Sequence, residues 1–164
     1  MSSEKTVENA QPETSKDENV VRGVLLSLLA VVAGIVAWVA LWQFGFIASI
    51  VAFLIAWLAV KLYTYGAGGI SRRTAPIVLV VILVGIVLAF LAGIVSDALQ
   101  VYIEGSSLNW LEVLFSGDFW AFYFDNIFNN SELWNQYLPD ILISLVFGVL
   151  GAFSIVKSLF SNNK

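Results

Sequence analysis

The chain contains no cysteine and no histidine. Without cysteine it cannot form disulfide bonds, and without either residue it lacks the usual side-chain ligands of zinc, iron–sulfur clusters and haem. Catalysis by Ser/His/Asp or Cys/His groups is excluded for the same reason. We therefore expect no metal centre and no redox cofactor, and the sequence indicates no cofactor of another kind.

Charged residues are also scarce, because they make up 12% of the 164 residues whereas 59% are hydrophobic. Soluble domains average about a quarter charged residues, so this composition is typical of a protein whose solvent is lipid. The 8 Lys and Arg residues are scattered along the chain. Nucleic-acid binding, which needs a clustered basic surface, is therefore not expected.

Long apolar runs account for this composition. A helix needs about 20 apolar residues to cross a bilayer core of about 30 Å. Four segments approach or meet that length, and they predict transmembrane helices at residues 24–42, 46–63, 76–95 and 139–157. The fold class is thus an all-α polytopic membrane domain, residues 20–164. The polar tail before it, residues 1–19, has little apolar surface to bury and is predicted to be disordered.

The positions of the basic residues predict the orientation. Lys and Arg near the ends of spans stay in the cytoplasm, and with four spans all 8 fall on one side of the membrane. Both termini are then cytoplasmic. The long loop between spans three and four, residues 96–138, has no basic residue and lies outside. These features predict a multi-pass protein of the plasma membrane that contacts lipid along all four spans.

The outer loop is rich in both acidic and aromatic residues. We expect two or three short interfacial helices there, because Trp and Tyr rings suit the headgroup layer of a membrane. The pattern Asn109-Trp110-Leu111-Glu112 resembles a capping box and predicts the start of one of them. The loop residues that form a candidate surface for a protein partner are Trp110, Trp120, Tyr123, Asp125 and Trp134.

Two other sets of residues could bind ligands. Trp38, Trp42, Gln43 and Trp57 form a candidate mouth for a small molecule, because such pockets are commonly aromatic with few polar groups; anchoring helices at the interface is the commoner role of such rings. Arg72 and Arg73 follow a glycine-rich loop and are predicted to contact anionic lipid headgroups or a cytoplasmic partner.

One stretch resembles known proteins. Residues 45–73 combine a tight turn with an Ala-rich second span. The span ends in Lys61-Leu62-Tyr63 and is followed by the glycine-rich residues 66–69 and then by Ser71-Arg72-Arg73. This stretch resembles small integral membrane proteins of Gram-positive bacteria. The resemblance implies a bacterial plasma-membrane location, and it carries no activity.

The sequence therefore favours a non-enzymatic accessory or scaffold protein that presents its outer loop to a partner. The alternative is a small-molecule carrier or the substrate-binding membrane subunit of a transporter. No charged residue lies deep within a span, which disfavours proton-coupled transport. A deep cavity between spans one to three would favour the carrier, and a solid bundle would favour the scaffold. A third option, an enzyme that acts on a lipid or envelope substrate, would need two outer carboxylates or a basic residue to converge on a cleft. The oligomeric state is left open.

Overall fold

A computed structural model describes residues 18–43, 49–71 and 73–161, and these ranges contain helices with short connections and no strand. The helices are α1 (Val20–Gln43), α2 (Ser49–Ala67), α3 (Thr74–Glu104), α4 (Trp110–Leu114), α5 (Gly117–Asn129) and α6 (Ser131–Ser161). Four of them, α1, α2, α3 and α6, are long and apolar enough to cross a membrane. The prediction of an all-helical protein with four candidate membrane spans is confirmed.

The four long helices form a bundle. Helix α1 packs on α2 and α3, and α6 packs on the same two helices, whereas the backbones of α1 and α6 do not meet. The interior is filled by large buried side chains, among them Trp38, Ile55, Ile82, Ile86 and Phe90. The middle of the bundle is therefore packed with side chains of α1, α2 and α3.

Glycines allow the helices to approach closely. A Cβ atom added at Gly34 of α1 would lie 2.3 Å from Cγ1 of Ile55 in α2, and one added at Gly148 of α6 would lie 2.1 Å from Cδ1 of Ile86 in α3. Lipid tails are as apolar as the helices, so close van der Waals packing must supply the attraction between them. Gly34 and Gly148 thus serve packing between helices of the same chain.

The first three long helices differ from the predicted spans mainly at their ends. Helix α1 begins at Val20, and the Asn19 side chain accepts a hydrogen bond from the Arg22 backbone N–H at 3.0 Å. Helix α3 continues past residue 95 to Glu104. Residues 1–17, which are most of the predicted tail, and residues 44–48, which include the predicted start of span two, lie outside the described residues.

Helix α6 begins well before residue 139, the predicted start of span four. The Asn130 carboxamide oxygen accepts hydrogen bonds from the backbone N–H groups of Glu132 at 3.1 Å and Leu133 at 3.2 Å, which caps the helix. Pro139 therefore lies inside α6. Its missing N–H leaves the Asn135 carbonyl without a donor in the helix, but Asn135 is exposed and water can replace that donor.

The loop segment forms two short helices between α3 and α6. Helix α4 has a capping box in which the Asn109 side chain accepts from two backbone N–H groups and the Glu112 carboxylate accepts from the Asn109 N–H. Helix α5 buries Phe119, Tyr123 and Ile127, which recur at every fourth residue and so form one face. The third predicted loop helix, which contains Trp134, is the first part of α6.

Substitution of Gly34 by alanine should destabilise the bundle, because the new methyl group would overlap the Ile55 side chain. We expect the free energy of unfolding to fall by about 1–3 kcal/mol, as for other overpacked cores, measured by thermal unfolding in detergent. Ala33→Val adds volume at the neighbouring exposed position and should leave the melting temperature nearly unchanged. Adding Ile55→Ala to Gly34→Ala removes the overlapping atoms, so strictly additive losses in the double variant would contradict this packing.

Candidate functional site at the loop end

The end of the bundle that carries α4 and α5, here called the loop end, is organised around Asp97 of α3. Its Oδ2 atom accepts one hydrogen bond from the Trp42 indole N–H at 2.8 Å and another from the Tyr137 hydroxyl at 2.7 Å. Hydrogen bonds to an ionised acceptor are shorter and stronger than neutral ones. Because Trp42 belongs to α1 and Tyr137 to α6, this one carboxylate joins three helices.

Aromatic rings surround the Asp97 hydrogen bonds. The Trp42 ring centroid lies 5.6 Å from that of Tyr137, 6.1 Å from Phe90 and 6.4 Å from Trp38. These separations are within the range in which aromatic pairs attract each other. The junction of α1, α3 and α6 is therefore held by packed rings as well as by hydrogen bonds.

The predicted mouth residues are only partly brought together. Trp38 is fully buried, Trp42 is held by Asp97, and the Gln43 carboxamide donates to the Ser96 hydroxyl. These three side chains pack at the junction of α1 and α3. Trp57 lies on α2, is partly exposed, and has the Lys61 ammonium 5.8 Å from its ring centroid.

The second part of the loop end is the aromatic platform, defined as α4 and α5 with the rings that they carry. Its inner face is fixed to α3, because the Tyr102 ring lies 5.6 Å from the Phe119 ring and the Tyr123 hydroxyl donates to the Leu91 carbonyl at 3.2 Å. Burial raises the pKa of Tyr123, so its phenol remains protonated and able to donate at neutral pH. The platform is thus anchored to the bundle by specific contacts.

The structure divides the five residues of the predicted partner surface into two groups. Tyr123 is buried, while Trp120 and Trp134 are half-buried and donate their indole N–H groups to the backbone carbonyls of Leu114 at 2.8 Å and Ile127 at 2.7 Å. Trp110 is 55% exposed. Asp125 is also exposed, and its carboxylate accepts from the Asn129 side chain at 2.6 Å.

The most exposed rings of the platform were not predicted. Phe115 is 87% exposed at the end of α4, and Phe128 is 78% exposed in the last turn of α5. Phe128 follows Ile127, the last residue of the buried face of α5. Because the residues of that face recur at every fourth position, the sequence pattern could have placed Phe128 outside it. The exposure of Phe115 depends on where α4 ends, which the sequence does not define.

The third part of the loop end is a cleft between α3, α5 and α6 with a volume of about 330 Å³. Its floor is apolar and includes Ile94, Ala98 and Leu133. The polar groups that line it come from all three helices: Asp97, Asn126, Asn130, Glu132, Gln136 and Tyr137. The sequence contains no motif for this cleft, because its residues become neighbours only when the helices pack.

The opposite end of the bundle, here called the terminal end, contains a second carboxylate with several donors. Glu18 accepts hydrogen bonds from the hydroxyls of Tyr63 at 2.8 Å and Thr74 at 2.6 Å, and also from the Ser71 hydroxyl. These contacts join the start of α1 to the end of α2 and to the start of α3. Burial opposes the charge, but the three hydrogen bonds and the nearby Arg73 guanidinium hold the pKa of Glu18 below its usual value.

The two arginines that were predicted to contact lipid or a partner can be described only in part. Arg73 precedes α3 and is exposed, and its backbone N–H donates to the Ser71 hydroxyl at 3.1 Å. Arg72 lies outside the described residues. Contact with anionic headgroups stays a prediction for both.

Comparison of the chain with protein-family models, with curated proteins and with solved structures gave no match. Its function must therefore be inferred from the chemistry of its own residues. Within the described ranges, no group of three or more Asp, Glu, His or Cys residues is placed to hold a metal ion. The loop end offers an exposed aromatic surface and a polar cleft.

Replacing Asp97 by leucine should loosen the loop end, since the Trp42 N–H and the Tyr137 O–H would lose their acceptor. Each unsatisfied buried donor costs about 1–3 kcal/mol, so we expect a lower melting temperature in detergent and faster chymotrypsin cleavage within residues 102–137. Asp97→Asn keeps an acceptor oxygen and should retain most of the stability. Glu104→Leu removes an exposed carboxylate at the end of α3 and serves as the control. If Asp97→Leu behaved like this control, the anchoring role would be refuted.

Proposed function

We propose that this protein is a non-enzymatic accessory or scaffold protein of the bacterial plasma membrane that presents its aromatic platform to another membrane protein. The observation that supports this most directly is the exposure of large rings, above all Phe115 and Phe128, on a surface that is anchored to the bundle. Exposed apolar patches of folded proteins commonly mark interaction sites. A fixed platform also spares a partner the cost of ordering it.

The distribution of basic residues supports one orientation of the chain in the membrane. No Lys or Arg occurs between Arg73 and Lys157, so the loop end has no cytoplasmic retention signal under the positive-inside rule. Arg22, Lys61 and Arg73 all lie near the terminal end. In this proposal the loop end is extracytoplasmic and the terminal end is cytoplasmic.

The charge of the platform defines the kind of partner. Glu112, Asp118 and Asp125 are exposed beside the rings, and α4 and α5 contain no basic residue. A complementary surface would combine an apolar groove with Lys or Arg at its rim, since complementary charge guides association and excludes wrong partners. We therefore propose a partner with a basic extracytoplasmic surface close to the membrane.

The packed interior favours this role over the alternative of a carrier. A carrier needs a path between its helices, whereas Trp38, Ile55 and Phe90 are fully buried in the bundle. Asp97 and Glu132 both line the cleft between α3, α5 and α6, so two outer carboxylates share a cleft as an enzyme would require. Asp97, however, accepts hydrogen bonds from Trp42 and Tyr137, and these bonds favour a structural use of that carboxylate over a catalytic one. We accordingly keep the proposal of a non-enzymatic protein.

The proposed orientation predicts opposite labelling of the two ends. The chain has no cysteine, so single cysteines can be introduced at Ser107 of the loop end and at Tyr65 of the terminal end, both exposed. A membrane-impermeant maleimide should label Ser107→Cys on intact cells and Tyr65→Cys only after permeabilisation. Labelling of Tyr65→Cys on intact cells would contradict the proposed orientation.

The proposed partner contact predicts a position-specific crosslink. A photoreactive benzoylphenylalanine at Phe128 should yield a discrete protein adduct when cells are irradiated, whereas the same group at Phe153, exposed on the membrane-spanning part of α6, should not. The substitution Asp125→Lys on the platform should weaken the adduct about tenfold, equivalent to about 1.4 kcal/mol, because the new lysine would repel the basic rim of the partner.

The matched control for Asp125→Lys is Asp140→Lys, which reverses an exposed charge on α6 outside α4 and α5. It should leave the adduct at Phe128 intact. If positions 128 and 153 gave only lipid adducts, the platform rings would be membrane anchors and the scaffold proposal would fail.

A further inference from the structure

We infer that the cleft between α3, α5 and α6 binds a small organic ammonium group, carried either by a free amine or by a lipid headgroup. This inference goes beyond the proposed partner contact and does not depend on it, because the cleft and the exposed rings Phe115 and Phe128 are separate surfaces. None of the four residues of the predicted mouth lines the cleft.

The size of the cleft suits a small organic ligand. Its volume of about 330 Å³ lies at the lower end of the range of about 300–1000 Å³ for small-molecule sites. Like those sites, it combines an apolar floor with a few polar groups. The floor residue Ile94 is itself buried, so the cleft reaches the core of the bundle.

The charge of the cleft selects a cation. Two carboxylates line it from different helices, Asp97 from α3 and Glu132 from α6, and its lining includes no Lys or Arg. The two donors that Asp97 binds, the Trp42 indole and the Tyr137 hydroxyl, are neutral and do not cancel its charge. A concave surface with one sign of charge concentrates ions of the opposite sign.

The remaining lining favours an organic cation over a metal ion. Calcium and magnesium require about six or more oxygen ligands at short distances. The described residues contain no group of three or more acidic side chains placed to hold a metal ion, and five of the residues that line the cleft have hydrocarbon side chains. The rings of Phe122, Tyr123 and Tyr137 also line it. Aromatic faces attract ammonium groups, most strongly when water is excluded.

Some residues that line the cleft are exposed and can be changed without removing contacts that stabilise the fold. Asn126 and Asn130 are hydrogen-bonded to each other, and Asn130 caps α6. Glu132 and Gln136 are exposed on α6 at adjacent turns. Changing these two residues alters the charge of the cleft and leaves the Asp97 contacts in place.

The first test titrates the purified full chain in dodecyl maltoside with benzyltrimethylammonium chloride by calorimetry. We expect saturable binding at one site, at least about tenfold weaker binding in Glu132→Gln and in Gln136→Lys, and at least about tenfold weaker binding of neutral benzyl alcohol. Glu104→Gln removes an exposed carboxylate that does not line the cleft and should bind as the parent does. Melting temperatures equal to that of the parent show that the variants are folded.

The second test distinguishes the source of the ammonium group. Protein extracted from vesicles of phosphatidylethanolamine and phosphatidylglycerol is examined by native mass spectrometry. Retention of phosphatidylethanolamine that Glu132→Gln abolishes supports a lipid headgroup, and binding of the soluble probe alone supports a free amine. The inference is overturned if neither probe binds, or if Glu132→Gln and Gln136→Lys bind them as the parent does.

Discussion

The hydrogen bonds from Trp42 and Tyr137 to the Asp97 carboxylate determine how the loop end is assembled. Helices α1 and α6 each pack on α2 and α3 and share no backbone contact, so their relative position at this end depends on side chains. A carboxylate in a partly buried place accepts both donors strongly, because few water molecules compete there. Tyr137 is also a wall of the cleft, and the geometry of the cleft therefore depends on the same carboxylate.

The fold was predictable from sequence where one physical requirement dominates. The four spans follow from the apolar length needed to cross lipid, and Asn109 with Glu112 has the local pattern of a capping box. Helix α6 was harder, because Pro139 suggests a helix start and the cap at Asn130 overrides that signal. The proline is tolerated because Asn135, whose carbonyl loses its donor in the helix, is an exposed residue to which water has access.

The functional residues were less predictable because their roles depend on contacts distant in the chain. Trp120 and Trp134 look like surface rings in the sequence, but each donates its indole N–H to a backbone carbonyl of the platform. Trp38 and Trp42 are near each other in α1, and only packing decides that they fill a junction. The cleft combines residues of α3, α5 and α6, and no single segment contains a motif for it.

The two carboxylates at opposite ends of the bundle show how similar chemistry can have different electrostatic results. Glu18 and Asp97 each accept hydrogen bonds from neutral side chains. Neutral donors stabilise a carboxylate without cancelling its charge, so the net field depends on what lies nearby. At the terminal end burial opposes the charge of Glu18, but the hydrogen bonds from Ser71, Thr74 and Tyr63, with a smaller contribution from the Arg73 guanidinium, lower its pKa. At the loop end the residues that line the cleft beside Asp97 include no Lys or Arg, so no basic residue of the lining offsets this carboxylate when a cation approaches.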